Sequence, residues 1–234
     1  AQFKSLLYQT LQTATTTANG DPKPTSSQVG LGVRNSSINS IFTQGSLLDS
    51  ASDTSFAIEG EGFFAIRGED RNTYYTRNGD FTWATNGANG MMLTTTDGLP
   101  VLDSSGKAIT LNNSYVTSRI TITGDGRICY PDANNNPQPI GMQIGMFQFN
   151  NPGGLERQGD SLWAVTGASG QALNESTNNS VKKSKMVQGY LEGSNVQVAT
   201  EMVNLIVAQR AYEMNSKAIT TTDEMMQTAN NLKR

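Results

Sequence analysis

The sequence contains no histidine, which removes the side chain that most often serves as a general base and as a neutral metal ligand. It contains a single cysteine, Cys129, so no intrachain disulfide can form. Cys129 stands between apolar, strand-like residues without an activating neighbour, and we interpret it as a small buried hydrophobe. These shortages argue against an enzyme, and we expect no cofactor and no bound metal.

Charge is also scarce. Charged residues make up 16% of the 234-residue chain, the formal net charge is −3, and lysine and arginine form no dense run. We therefore expect no nucleic-acid partner. The sequence has no run of about 18 apolar residues, so we expect no membrane span. No hydrophobic signal-peptide segment is visible either.

Turn-forming residues and short apolar runs dominate the middle of the chain, which contributes to a total of 23 glycines. Asn-Gly, Asp-Gly and Ser-Gly pairs recur between residues 78 and 126. Short runs rich in aromatic or β-branched residues alternate with them, such as FFAIR at 63–67. This pattern predicts a mainly β fold, with an antiparallel, sandwich-like or barrel-like β domain over residues 35–185.

The segment from Ser194 to Arg234 contains no glycine and no proline and predicts one long α-helix, within a C-terminal region of residues 186–234. Ser194, followed three residues later by Gln197, is typical of a capping-box start. Apolar residues cover nearly every side of this helix up to Tyr212 and then continue as a heptad seam. The predicted interface residues are Val198, Met202, Leu205, Ile206, Tyr212, Ile219 and Met226.

A helix that is apolar all round must be buried against something. Nothing else in the chain is long enough and helical enough to cover it. We therefore expect another segment or another chain as the partner, which indicates assembly rather than catalysis.

Residues 1–34 form a third region. The spacing of Phe3, Leu6, Leu7 and Leu11 predicts a short amphipathic helical turn. A tract rich in threonine, serine and proline follows, and its prolines forbid a helix there. On composition alone this tract is a linker or an extended segment on the surface.

Three motifs imitate functional sites without their chemistry. Residues 60–65 fit a dinucleotide-binding pattern, but a strand-like run follows where a helix is required. Residues 132–136 resemble the start of a calcium loop that lacks its turn glycine and its bidentate glutamate. Residues 159–162 spell the GDSL string of certain esterases, whose serine needs a base that is usually histidine. A secreted esterase using Ser161 and a β-domain adhesin remain open as alternatives of other classes.

Several strings together resemble one family, the axial proteins of the bacterial flagellum, which form its rod and hook. Residues 210–217, RAYEMNSK, resemble the rod members more than the hook members. The opening FKSLLYQT and residues 29–34 point the same way. The other matching strings are IFTQGSL at 41–47, FAIEGEGFFAI at 56–66, TRNGDF at 76–81, TTDGLPVLD at 95–103 and the whole of 188–234.

The resemblance implies a structural subunit of the distal part of the rod, which polymerises into a stiff helical tube and transmits motor torque to the hook. Terminal helices would form an inner coiled-coil tube with the β domain outside it, and a rod-specific tract would lie between neighbouring subunits. Residues of that tract are Tyr8, Gln9, Pro22, Pro24, Gly30 and Gly32. A hook or proximal-rod subunit is the alternative within the class.

The same resemblance implies partners and a location. The expected partners are further copies of the chain, other rod and hook proteins and the bushing-ring proteins. The expected location is the cell envelope outside the cytoplasm, in the periplasm where an outer membrane exists, after export through the flagellar type III apparatus. Family members begin with an amphipathic helix and an Asn-Asn-x-x-Asn-type motif that this sequence lacks. We therefore expect the C-terminal helix to be missing its usual N-terminal companion.

Overall fold

A computed structural model describes residues 2–5, 8–12, 27–87 and 90–232 of the chain. The long helix, α1, is Val198–Asn231, and short 3-10 turns lie at Thr117–Arg119 and Pro152–Gly154. The predicted mainly β class with a long C-terminal helix is confirmed. In chain order the strands are β1 Gln2–Ser5, β2 Tyr8–Gln12, β3 Ser27–Gly30, β4 Val33–Ser37, β5 Leu47–Asp49, β6 Phe56–Glu59, β7 Phe63–Arg67, β8 Thr73–Thr76, β9 Phe81–Thr85, β10 Met91–Thr95, β11 Thr110–Leu111, β12 Thr121–Ile122, β13 Arg127–Pro131, β14 Pro137–Gln143, β15 Met146–Gln148, β16 Glu156–Gly159, β17 Leu162–Ala164, β18 Leu173–Asn174, β19 Lys185–Gln188 and β20 Tyr190–Glu192.

Strands of the β domain pair in antiparallel fashion. The largest sheet has the order β16-β17-β8-β7-β15-β18. Two three-stranded sheets, β11-β10-β9 and β12-β13-β14, lie beside two-stranded pairs such as β19-β6 and β20-β5. Each of these sheets ends in two edge strands. The described part of the chain therefore forms open sheets rather than a closed barrel.

The β domain has its own hydrophobic core, and strand β7 supplies both halves of it. Phe64 and Ile66 belong to the larger cluster, whereas Phe63 belongs to a second cluster with Tyr75 and Phe149. Successive side chains of a strand point to opposite faces, so both faces of β7 are buried. Cys129 is only 4% exposed, which confirms its predicted burial.

Helix α1 begins later than predicted. The chain is still in strands β19 and β20 between Lys185 and Glu192, so the helix occupies only the later part of the region assigned to residues 186–234. The predicted capping box is wrong, because Gln197 is the N-cap and makes no side-chain capping bond. The hydroxyl of Ser194 instead accepts a hydrogen bond from the backbone N–H of Val196 at 3.2 Å, which is a local turn.

The helical turn predicted near the start of the chain is wrong for the residues that the structure describes. Phe3 lies in β1, which pairs with β4, and Leu11 lies in β2, which pairs with β3. Leu6 and Leu7 lie outside the described residues. A helix this short forms too few hydrogen bonds to offset the free-energy cost of its nucleation. Pairing with a neighbouring strand is therefore the more stable arrangement for this backbone.

Candidate assembly surface

Helix α1 carries all seven predicted interface residues, which we call the seam, on an uncovered surface. Every residue of α1 is exposed, and the seam side chains are 54% to 76% accessible, from Ile206 to Tyr212. Steps of three, four and seven residues keep most of the seam on one stripe of the helix, with Ile206 one turn from Met202. The structure therefore brings the seam residues together on one helix.

Apolar side chains outside the seam are equally uncovered. Val203, Val207, Met214 and Met225 are 58% to 66% exposed, so the helix is apolar on more than one side. Val203 and Val207 belong to the part of the helix predicted to be apolar on nearly every side, whereas Met214 and Met225 lie beyond it and outside the heptad seam. No helix of the described residues is both long enough and apolar enough to cross a membrane. Burial of all these apolar side chains of α1 therefore requires packing partners on more than one side of the helix.

A second exposed apolar stretch, residues 31–41, spans the start of the β domain and was missed by sequence reasoning. Leu31, Val33, Ile38 and Ile41 are 61% to 76% exposed. The available signal was a run of large aliphatic residues within a polar segment, between two recognisable regions. These residues form a second uncovered apolar surface, on the segment that leads to β5.

Immediately before α1, the segment that leaves the β domain (residues 190–195, the outgoing segment) is paired with the segment that enters it (residues 41–49, the incoming segment). Strand β20 pairs with β5, and the pairing continues where the N–H of Gly193 donates to the carbonyl of Ser46 at 2.8 Å. The side-chain amide of Asn195 donates to the carbonyl of Thr43 at 2.9 Å and to its hydroxyl at 2.8 Å. A Cβ on Gly45 would collide with the carbonyl oxygen of Gly193, so glycine is what allows the two backbones to approach.

A bidentate ion pair between Arg77 and Glu192 holds this crossing. Arg77 Nε lies 2.8 Å from Glu192 Oε2, and Nη2 lies 3.0 Å from Oε1, with side-chain exposures of only 13% and 12%. The second Arg77 amino group donates to the carbonyls of Gly60 and Gly62 at 3.0 and 3.1 Å. Glu192 also accepts the backbone N–H of Gly45 at 3.0 Å. We call Gly45, Arg77, Glu192 and Asn195 the helix root.

Residues 60–65, which mimic a dinucleotide motif, form a strand connection beside this root. A Cβ on Gly60 would lie within 3 Å of the Ser184 side chain. The Gly62 N–H donates to the Ser184 hydroxyl at 3.0 Å. That hydroxyl and its own backbone N–H both donate to the buried carboxylate of Glu175, at 2.8 and 2.7 Å. The motif therefore has a structural role, and the interpretation of residues 63–67 as a strand is confirmed.

Glu192 lines the same pocket as Ser161 but is already paired with Arg77, and among the described residues no base is hydrogen-bonded to the hydroxyl of Ser161. Ser161 lies at the tip of the β16–β17 hairpin, where Asp160 and Ser161 have φ values of 42° and 60°. Positive φ at both central positions is typical of a tight two-residue hairpin turn. Within the described residues, no group of three or more metal-ligating side chains is gathered either. Neither an esterase site nor a metal site is supported.

Shifted pKa values occur away from the helix root. A hydrogen bond from the Tyr74 hydroxyl, at 2.8 Å, lowers the pKa of the solvent-exposed Asp70 carboxyl. Burial in the second core cluster raises the pKa of Tyr75. The Asp70 shift arises from a local hydrogen bond and the Tyr75 shift from burial, so neither shift by itself indicates a catalytic group.

The predicted rod-specific tract is only partly described. Tyr8 pairs with Gly30, and Gln9 pairs with Val29, across the β2–β3 ladder. Gly32 follows with a φ of 100°, in the left-handed region that favours glycine. The predicted residues Pro22 and Pro24 lie outside the described residues. Of the predicted positions, Tyr8 and Gly30 are thus paired with each other across the ladder.

Comparison with known proteins gives matches in both parts of the chain. Residues 57–130 match the family model for the flagellar hook protein FlgE/F/G D1 domain, and residues 187–232 match that for the flagellar basal body rod FlgEFG protein C-terminal region. The flagellar basal-body rod protein FlgG of Borreliella burgdorferi is 40% identical over 236 residues, covering 100% of this chain and 85% of that protein. FlgG of Bacillus subtilis is 33% identical over 99% of this chain and 85% of that protein. The flagellar hook-basal body complex protein FlhP of the same bacterium is 31% identical over 90% of this chain and 76% of that protein.

Proposed function

The chain belongs to the FlgG family of flagellar basal-body rod proteins, and from that premise we propose that it polymerises through α1 into the stiff tube of the rod. It is a structural subunit of the flagellar basal body, outside the cytoplasm. In the proposed polymer, copies cover one another's helices and transmit motor torque towards the hook. Other rod and hook proteins are partners at the ends of the tube, and contact with bushing-ring proteins remains a prediction.

The contrast between the two parts of the chain supports this proposal most strongly. The β domain buries its large apolar side chains in two clusters of its own. Helix α1 buries none of its residues, although large apolar side chains lie along most of its length. At about 1.5 Å per residue, a 34-residue helix extends about 51 Å. Contiguous apolar surface on that scale marks an interaction site.

The energetics favour several neighbours over one. The six seam side chains other than Tyr212 retain 54% to 71% of their exposure. Covering them contributes about 6–11 kcal/mol gross, at about 1.5–3 kcal/mol for each fully buried side chain. Association itself costs about 4–15 kcal/mol, so one contact along the seam is close to balance. A helix that is apolar on several sides and meets several copies gains more, and a repeated contact that does not close on itself produces a filament.

The isolated helix is suited to export before assembly. Most helical stability in proteins comes from tertiary packing, and α1 has none within its own described chain. In the proposal, the terminal segment therefore stays pliable in the free subunit and becomes ordered when it docks. The tract between Tyr8 and Gly32 is proposed to lie between neighbouring subunits and to stiffen the tube.

Truncation after Gly193 tests the proposed function. The shortened protein retains β5, β20 and both core clusters, so we expect a cooperative melting transition and strand-type circular dichroism. We expect no filaments in electron micrographs and no pelletable polymer, at concentrations where the intact protein forms both. Rods formed by the truncated protein would show that assembly does not depend on α1.

A further inference from the structure

The incoming and outgoing segments of the chain cross at one place, the helix root. We propose that Arg77, Glu192 and Asn195 are positioning residues that clamp these segments together and set the point and direction from which α1 leaves the β domain. The effect of the clamp on assembly rests on the proposed function. The clamp itself, as a property of the free subunit, does not depend on that proposal.

The ion pair joins three separate stretches of backbone. Through Glu192 it holds the outgoing strand β20 and the N–H of Gly45, and through Arg77 it holds the carbonyls on either side of Glu61. The two bonds of the ion pair and the three bonds to backbone groups are all 2.8 to 3.1 Å long. A guanidinium presents five N–H donors in a fixed plane and satisfies this set, whereas a lysine ammonium does not match its geometry.

An apolar contact pins the same incoming segment. The ring of Phe42 packs edge-on against Phe63 and Trp163, with centroids 5.4 and 4.9 Å apart. The guanidinium carbon of Arg77 lies 5.8 Å from the Phe63 ring centroid, so the ion pair packs directly against the aromatic cluster. The incoming segment therefore cannot shift without breaking both kinds of contact.

The clamp ends two residues before the helix. Asn195 is the last residue whose side chain bonds to the incoming segment, and Val196 and Gln197 then connect it to α1. Three Cα-to-Cα steps separate Asn195 from Val198 and span at most about 11 Å, so the start of the helix remains close to the clamp. A tilt of about 10° at its start moves the far end of a helix of about 51 Å by about 9 Å. That displacement is close to a full interhelical distance, so the root must be fixed for neighbouring seams to meet.

Distances between two spin labels test the clamp in the free subunit. We would replace the buried Cys129 with serine and attach labels at Thr96→Cys, in an exposed turn, and at Gln197→Cys, just beyond the clamp. Both label positions are exposed and neither requires α1 to be folded. In dilute protein, we expect a single narrow distance peak.

Matched substitutions separate clamping from a general change of charge. Arg77→Lys and Glu192→Gln are expected to lose the narrow peak. Arg157→Lys and Glu156→Gln, the same changes at exposed positions of β16, are expected to retain it. Thermal unfolding of each variant shows whether the β domain is intact. Asn195→Ala, at an exposed position outside both core clusters, provides a variant that folds even if the ion-pair variants do not, and it is expected to broaden the peak.

The outcomes separate this inference from the proposed function. A narrow peak retained in folded Arg77→Lys, Glu192→Gln and Asn195→Ala overturns the clamp, whether or not the protein polymerises. If the peak broadens in those variants while the intact protein never forms filaments, the clamp stands and the proposed function fails. If both hold, pelleting assays are expected to show loss of assembly in the clamp variants and normal assembly in the β16 controls.

Discussion

Replacement of Leu205 by alanine should weaken assembly without weakening the subunit. Leu205 is 66% exposed on α1, so its removal opens no cavity in the monomer and the free energy of unfolding of the β domain should not change. In the polymer, about two thirds of the 1.5–3 kcal/mol available from burying a leucine is lost, or about 1–2 kcal/mol. Since about 1.4 kcal/mol corresponds to tenfold, the critical concentration should rise about 5–30-fold.

Met214→Ala is the matched variant for comparison. Met214 is also 66% exposed, but it lies on the opposite side of the helix from the seam. We would measure critical concentrations by pelleting over a dilution series and melting temperatures by circular dichroism. A lower melting temperature for Leu205→Ala would show that α1 packs on its own subunit. An unchanged critical concentration for Leu205→Ala would contradict the seam, and a rise for Met214→Ala would show that the opposite side of α1 is covered in the polymer as well.

Three further predictions concern the root, the core and the tract. Gly45→Ala should destabilise the β domain by about 1–3 kcal/mol in chemical denaturation, because the added Cβ meets the carbonyl of Gly193 and separates β5 from β20. Gly167→Ala, with open space at its Cβ, should be nearly neutral, and equal effects would refute the close approach. Because burial raises the pKa of Tyr75 above 10.0, the folded state holds that proton more tightly; stability should be full below pH 10.0 and decline as the pH rises through the raised value. Tyr75→Phe should reduce that decline, and an unchanged alkaline melting profile would contradict it. Deletion of residues 12–28 should preserve export but produce polymers that bend, and an unaltered persistence length in electron micrographs would exclude a stiffening role.

The C-terminal helix could be predicted because its signals are local. The absence of glycine and proline after Gly193 and the heptad spacing of Leu205, Tyr212 and Ile219 all lie within one segment. Its starting point could not be predicted. Ser194 matches a capping box, but Gly193 and Asn195 are already hydrogen-bonded to the incoming chain, which holds this stretch extended.

The helix root was beyond sequence reasoning for a different reason. Arg77 and Glu192 are 115 residues apart, and only the pairing of β5 with β20 and the packing around β7 bring them together. Residue composition and local periodicity carry no information about such a long-range pair. The sequence already indicated that residues 60–65 are not a dinucleotide-binding site. The contact with Ser184 that requires glycine at positions 60 and 62 is visible only in the structure.

Amide hydrogen exchange along α1 tests the central claim most directly. We would compare residues 198–231 in dilute subunits and in assembled filaments of the same protein, with the buried strands β6 and β7 as internal references. The account predicts rapid exchange throughout α1 in the dilute subunit and strong protection in the filament, with the reference strands protected in both. Strong protection of α1 in the dilute subunit would contradict it, because the helix would then be covered by its own chain.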